Sequence, residues 1–118
     1  MALAKDTTIY RQMKGLLKLL IAERAKFPKS YRAFGQDLFQ QAVRCLTLLQ
    51  RANMSRETQV RYLTDFIAEF GTLGTLMEVC TELKIWPYNK AAEVALMVES
   101  IGRQATAWRN KASTQPDS

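Results

Sequence analysis

The chain has 118 residues, of which 47% are hydrophobic, so it is long enough and apolar enough to bury one core. Its formal net charge is +6 and its pI is about 9.6, a balance that favours polyanionic partners. There is no histidine and there are only two cysteines, which excludes a standard zinc site and removes the most common general base. With 5 glycines and 3 prolines, the composition favours long helices over strands and turns.

The excess positive charge lies entirely in the first half of the chain. Residues 1–53 contain 10 Lys and Arg against 3 Asp and Glu, a balance of +7, whereas residues 54–118 contain 7 against 8, a balance of −1. No stretch approaches the roughly 20 apolar residues of a membrane span, and Leu16–Ala22 is too short and too interrupted for a signal peptide. We therefore expect a cytoplasmic protein.

The first predicted helix starts with Asp6 as its cap and runs to about Lys26. Apolar residues at three- and four-residue steps predict its buried face: Ile9, Met13, Leu16, Leu17, Leu20 and Ile21. The helix ends at a joint, Phe27-Pro28-Lys29-Ser30-Tyr31-Arg32, because Pro28 has no amide proton and disfavours helical backbone at the preceding residue. Ser30 is predicted to cap the second helix, so that the two helices fold back against each other.

The second helix is predicted from about Tyr31 to Asn53, with a buried face of Phe34, Leu38, Ala42 or Val43, Cys45, Leu46 and Leu49. The third is predicted to open at Ser55, with Glu57 in its first turn. Its apolar stripe comprises Val60, Leu63, Ile67, Phe70, Leu73, Met77, Cys80 and Leu83. Gly71 and Gly74 indicate either a close crossing by a neighbouring helix or a bend. Both cysteines lie in apolar stripes, so we expect reduced, buried thiols.

Pro87 is predicted to end the third helix and Asn89 to cap the fourth. The seam of the fourth helix repeats at steps of four and three: Val94, Val98, Ile101, Ala105 and Trp108. Four helices with short connections predict an all-α, up-down-up-down antiparallel four-helix bundle. We expect residues 1–112 to form this single domain and residues 113–118 to form a disordered polar tail.

Basic residues recur on the solvent side of the first two helices and at the joint. They are the candidate nucleic-acid-binding residues: Arg11, Lys14, Lys18, Lys29, Arg32, Arg44 and Arg51. The alternative interpretation is a solvated surface that keeps the protein soluble. Tyr31, beside the joint, is the candidate for stacking on a base.

Carboxylates one turn apart, at Asp65 and Glu69 and at Glu78 and Glu82, are the one pattern that suggests metal chemistry. Bundle di-metal centres use a Glu-x-x-His motif, which a chain without histidine lacks, so solvated surface charge is the favoured interpretation. No glycine-rich phosphate loop is present. We therefore predict no catalytic residue, no metal and no cofactor.

Two motifs resemble a known family. Phe27-Pro28-Lys29-Ser30, with Arg32 and Gln36, resembles the joint of the four-helix-bundle proteins called Avd, the accessory variability determinants of diversity-generating retroelements. Gly102-Arg103 followed by Trp108 resembles the Gly-Arg-x-x-x-x-Trp ending of that family's fourth helix. The resemblance spans about residues 9–110.

The resemblance implies a non-enzymatic homopentamer of helical bundles. Such a protein binds the element's reverse transcriptase and its RNA or cDNA through a basic surface, and it supports mutagenic reverse transcription. The sequence departs from the pattern around Glu78, where a basic residue is expected, and at Ala105-Thr106-Ala107, where members often have Leu-Gly-Gly. These departures leave open a related bundle family, encoded by intervening sequences of ribosomal RNA genes, with a structural or protein-interaction role and no nucleic-acid role.

Overall fold

The computed structural model describes residues 7–114 and contains four α-helices. These are α1 (Thr8–Arg24), α2 (Arg32–Ala52), α3 (Gln59–Glu82) and α4 (Tyr88–Thr114), and no strand occurs in this range. Each helix packs against the next, and α4 packs against α1, so the helices close into a ring around one core. The particle measures 53 × 22 × 21 Å. The predicted up-down-up-down bundle is confirmed.

The core is built mainly by the predicted apolar stripes. Of the two alternatives predicted on α2, Ala42 faces inward and Val43 is exposed. Ile21 and Leu83, at the ends of their predicted stripes, are exposed instead of buried. Phe66, which the prediction left out, is fully buried and stacks on the Phe70 ring with the two centroids 5.2 Å apart.

The joint makes a tight corner through backbone contacts. α1 ends at Arg24, and residues 29–31 form a single 3₁₀ turn in which the Tyr31 amide donates to the Pro28 carbonyl at 2.8 Å. The predicted cap by Ser30 is wrong, because neither this turn nor α2 has a side-chain cap. Phe27 is buried against α2, where a Cβ added at Gly35 would lie 3.1 Å from its ring.

The other predicted caps also differ. Asp6 lies outside the described residues, and the Thr7 hydroxyl caps α1 by accepting from the Tyr10 amide. Ser55 does not open α3, which begins at Gln59 after a turn, so Glu57 is not in the helix. Asn89 lies inside α4 rather than at its cap, because the helix begins at Tyr88.

The end of α3 is closed by two backbone hydrogen bonds. The Ile85 amide donates to the Cys80 carbonyl at 2.8 Å, and the Lys84 amide donates to the Thr81 carbonyl at 3.1 Å. This pairing is a Schellman motif, which requires a left-handed residue, and Lys84 has a φ of 56°. Because that region favours glycine, a lysine here carries a conformational cost.

The connection into α4 is anchored on the core by Trp86. This side chain is buried, and its Nε1 donates to the Thr81 hydroxyl at 3.0 Å. The Pro87 carbonyl then accepts from the Lys90 and Ala91 amides, which starts α4 without a side-chain cap. α4 continues to Thr114, two residues into the segment predicted as a tail, and the rest of that segment lies outside the described residues.

Candidate nucleic-acid interface

The first group of predicted site residues lies on α1. Arg11, Lys14 and Lys18 are all exposed and follow one face of the helix. The Lys14 ammonium lies 5.9 Å from the centroid of the Tyr10 ring, and the Tyr10 hydroxyl accepts from Gln50 of α2 at 2.9 Å. Lys14 therefore stands at the boundary between α1 and α2.

The second group lies at the joint, where Lys29 and Arg32 are exposed. Tyr31, the predicted stacking residue, is half-buried and packs against the core. Arg24, which the sequence analysis did not include among the site residues, lies nearby. Its guanidinium stands 4.6 Å from the centroid of the Phe39 ring and donates to Gln36 at 2.7 Å. Nothing in the sequence marked this contact, because it depends on how the two helices are rotated against each other.

The third group lies on α2, where Arg44 and Arg51 are exposed and two turns apart on one face. Arg44 Nη1 lies 3.9 Å from Glu69 Oε1 of α3. The same Glu69 accepts from Gln41 Nε2 at 2.9 Å, which fixes its position. This face of α2 is therefore directed towards α3, away from the α1 group.

We use the name basic surface for the seven residues of these three groups taken together, although the α1 group and the α2 group face different sides of the bundle: Arg11, Lys14, Lys18, Lys29, Arg32, Arg44 and Arg51. All seven are exposed. Within residues 7–114, Arg44 is the only one of them with a carboxylate inside 4.0 Å. An exposed pair at that distance contributes little binding energy, so the charge of the basic surface remains available to an anion.

The cations outside the basic surface are more often paired with acids. Lys26 lies 3.2 Å from the buried carboxylate of Glu23, which is 7% exposed. Lys90 lies 3.0 Å from Glu93, and this hydrogen bond is the main reason that the pKa of Lys90 is raised. Arg103 lies 3.2 Å from Glu99. Ion pairs therefore form mainly outside the basic surface.

The two cysteines are free thiols inside the core, as predicted. Burial, with a smaller contribution from the charge of Glu69, raises the pKa of Cys45 to about 12. Burial likewise raises the pKa of Cys80 to about 11. In the part of the chain that is described, no three acidic or cysteine side chains come together as a metal site would require. The buried, protonated thiols are poor nucleophiles.

A groove of about 550 Å³ lies between α3 and α4. Its walls are largely apolar and rich in small residues, including Gly71, Gly74, Ala95 and Gly102. The helix runs unbroken through Gly71 and Gly74, and a Cβ added at Gly71 would meet no atom within 4 Å. No helix of the same chain therefore crosses closely at Gly71. We call this feature the α3–α4 groove.

Comparison with known proteins identifies a family that covers most of the chain. Residues 7–112 match the family described as bAvd-like, a span that includes both the joint and the Gly102-Arg103 motif. No curated protein matches the chain. Among residues 7–114, no helix combines the length and the hydropathy of a membrane span. Because the family match covers nearly all of the sequence and both motifs, the chain belongs to the bAvd-like family.

Proposed function

We propose that the protein is a non-enzymatic accessory factor of a diversity-generating retroelement, which binds RNA or cDNA and the element's reverse transcriptase. The observation that carries this proposal is the basic surface. Its seven cations are exposed, and six of them have no carboxylate within 4.0 Å among the described residues. Membership in the bAvd-like family supports the same conclusion.

The charge distribution favours a polyanion over simple solubility. A surface that serves solubility alone needs both signs interspersed. Here all seven cations lie on α1, the joint and α2, while most of the acids lie on α3 and α4. Contacts to phosphates position a nucleic acid without reading its bases, so we expect binding that depends on charge more than on sequence.

The proposed protein partner is the reverse transcriptase, and the proposed location is the cytoplasm. A second candidate function is a bundle that contacts proteins only, as in the family linked to ribosomal RNA intervening sequences. The two candidates differ in one measurable property, because only the first predicts nucleic-acid binding at low salt. A labelled RNA that shows no shift at any protein concentration would favour the second.

Charge reversal on the basic surface tests the proposal. We expect Lys14→Glu/Lys18→Glu/Arg44→Glu to weaken the binding of a fluorescein-labelled 20-mer RNA by about tenfold or more, because three phosphate contacts are replaced by repulsion. Gel shift or fluorescence anisotropy at low salt measures this change. Circular dichroism checks that the variant keeps its helices, and all three positions are exposed.

The matched control is Arg61→Glu/Arg103→Glu/Lys111→Glu, three charge reversals at exposed residues of α3 and α4. Because it lowers the net charge by the same amount outside the basic surface, it separates a localised surface from a general effect of net charge. We expect it to weaken RNA binding by about twofold at most, since these cations act on the RNA only at long range. Equal affinity of wild type and the first variant would contradict the role of the basic surface.

We also propose that the protein forms a homo-oligomer, a pentamer by its resemblance to Avd. The observation that supports self-association is the α3–α4 groove. Glycine inside a helix costs about 0.5–1 kcal/mol relative to alanine. Neither Gly71 nor Gly102 is required by a contact within the chain, because an added Cβ would meet nothing within 4 Å at either position. A second copy packed closely against the groove would explain why glycine, and not alanine, occupies these two positions.

A further inference from the structure

One end of the bundle brings two separate segments together. α1 ends and α2 begins there, and in an up-down-up-down bundle α3 also ends and α4 begins at the same end. A charge interaction between Lys90 of α4 and Glu23 of α1 confirms that the two segments are close. We call this region the joint end and define it as residues 24–32 and 83–90.

The joint end carries an aromatic side chain that does not pack in the core. Tyr88 is 87% exposed, and it is the only aromatic residue of the described chain that falls in the exposed class. Two other aromatic residues of the joint end are less exposed: Trp86 is buried, and Tyr31 is half-buried against the core. A single exposed ring does not by itself mark a binding surface, but a ring beside unpaired cations offers a face on which a base can stack.

Three exposed cations of the joint end have no acidic partner among residues 7–114. Lys29, Arg32 and Lys84 are exposed, and no carboxylate of residues 7–114 lies within 4.0 Å of them. Lys26 and Lys90 are instead held by Glu23 and Glu93. Lys84 also occupies a left-handed position where glycine would cost less. Three residues separate Lys84 from Tyr88, the first residue of α4, so a cation and an exposed ring lie close along the chain.

We propose that the joint end binds single-stranded nucleic acid, with an unpaired base stacked on Tyr88 and with phosphates held by Lys29, Arg32 and Lys84. This inference rests on the proposed function and adds to it a second contact of a different kind. A ring and a group of cations are the two components of a surface that binds single strands without reading sequence. The cross-section of 22 × 21 Å limits the length bound across this end to the order of four nucleotides.

The geometry favours a single strand over a duplex. In a duplex each base already stacks on its neighbours, so an exposed ring gains nothing without unstacking a base pair. The cations of α1 and α2, in contrast, attract the backbone of either form. The two surfaces share Lys29 and Arg32, but only the joint end contains Tyr88, so a change at the ring tests the joint end separately.

The experiment compares Tyr88→Ala with wild type on two probes of equal length. One is a fluorescein-labelled 12-nucleotide single-stranded RNA, and the other is the corresponding RNA–DNA duplex. We expect Tyr88→Ala to lose about tenfold in affinity for the single strand and to bind the duplex as wild type does. Tyr88→Phe keeps the ring, and we expect it to bind the single strand as tightly as wild type.

Leu96→Ala is the matched control, because Leu96 is also an exposed apolar residue of α4, two turns beyond Tyr88. We expect its affinity for both probes to be unchanged. A Tyr88→Ala protein that binds the single strand like wild type overturns the inference, as does a Tyr88→Phe protein as weak as Tyr88→Ala. If Lys14→Glu/Lys18→Glu/Arg44→Glu still weakens binding in that case, the proposed function stands. If wild type binds neither probe, the proposed function itself fails.

Discussion

Cys45 and Cys80 are the residues whose ionisation the fold changes most. Each has an ordinary pKa of 9.0, and burial raises these values to about 12 and about 11. The cause in both cases is mainly the removal of the thiol from water, which disfavours the thiolate. Neither thiol therefore supplies a nucleophile, and their contribution is to the packing of α2 and α3.

The pKa shifts predict a loss of stability at high pH. Below pH 9 both states of the protein hold the thiol protons, so stability does not depend on them. Between pH 9 and the pKa of the folded thiols, the unfolded chain loses protons that the native state keeps. The free energy of unfolding then falls by up to about 1.4 kcal/mol per pH unit for each thiol.

Comparison with Cys45→Ala isolates this effect from other titrating groups. At pH 8 wild type is expected to be the more stable protein, because the alanine leaves a small cavity. By pH 10 we expect urea denaturation to show this advantage reduced by about 1.4 kcal/mol, since only wild type carries the thiol. An advantage that stays constant with pH would contradict the buried environment of Cys45.

The sequence correctly predicts burial for residues that belong to a regular apolar stripe of their own helix. Leu16, Leu38 and Leu73 recur in apolar stripes, and all three are fully buried. The sequence does not predict how exposed Tyr31 and Tyr88 are, because both adjoin a connection and their exposure depends on helix rotation. Only the packing of the bundle makes the first half-buried and the second exposed.

The helices were predicted more reliably than their ends. Serine and asparagine are common at helix caps because their side chains form hydrogen bonds with nearby backbone groups. They are common in turns for the same reason. Ser30 lies in the 3₁₀ turn, Ser55 lies in the connection before α3, and Asn89 lies one residue inside α4. Carbonyl groups of Pro28 and Pro87 satisfy the first amides instead, and no side-chain pattern announces such a start.

Substitution of three glycines within helices compares the gain in helix propensity with the effect of packing. We expect Gly71→Ala and Gly102→Ala each to raise the free energy of unfolding by about 0.5–1 kcal/mol, because the helix gains propensity and the methyl group enters open space. Gly35→Ala offers the same gain in propensity. Its Cβ would lie 3.1 Å from the buried Phe27 ring, so overpacking is expected to outweigh the gain and to lower stability.

Urea denaturation followed by circular dichroism measures the three values, at concentrations where light scattering shows a monomer. A loss of stability at Gly71 or Gly102 would mean that the α3–α4 groove is closed. A gain at Gly35 equal to that at the other two positions would mean that Phe27 does not pack where the structure places it.

The α3–α4 groove makes a prediction for the whole molecule. We expect light scattering of wild type to give about five times the chain mass of 13.5 kDa, and Gly102→Leu to give a smaller mass. The leucine fills space that is open within one chain, so the bundle itself should remain folded. Ala107→Leu is the control, since Ala107 is exposed on the same helix and does not line the groove. A wild-type monomer would contradict the proposed assembly.

At the scale of the whole molecule, the uneven distribution of charge is the property on which the proposed RNA binding depends. The imbalance between the two halves of the chain was visible in the sequence, and the fold keeps it on α1, the joint and α2. The sequence could not assign Arg44 to the side of α2 that faces Glu69, nor could it predict the groove, because both depend on how helices are spaced and rotated.

The most direct measurement is the salt dependence of RNA binding. Fluorescence anisotropy between about 50 and 200 mM salt should give a slope of log K against log salt near −4 or −5 for wild type, as about five phosphate contacts predict. Lys14→Glu/Lys18→Glu should make that slope shallower by about 2, since two of those contacts are lost. A wild-type slope near zero, or an equal slope in both proteins, would contradict binding through the basic surface.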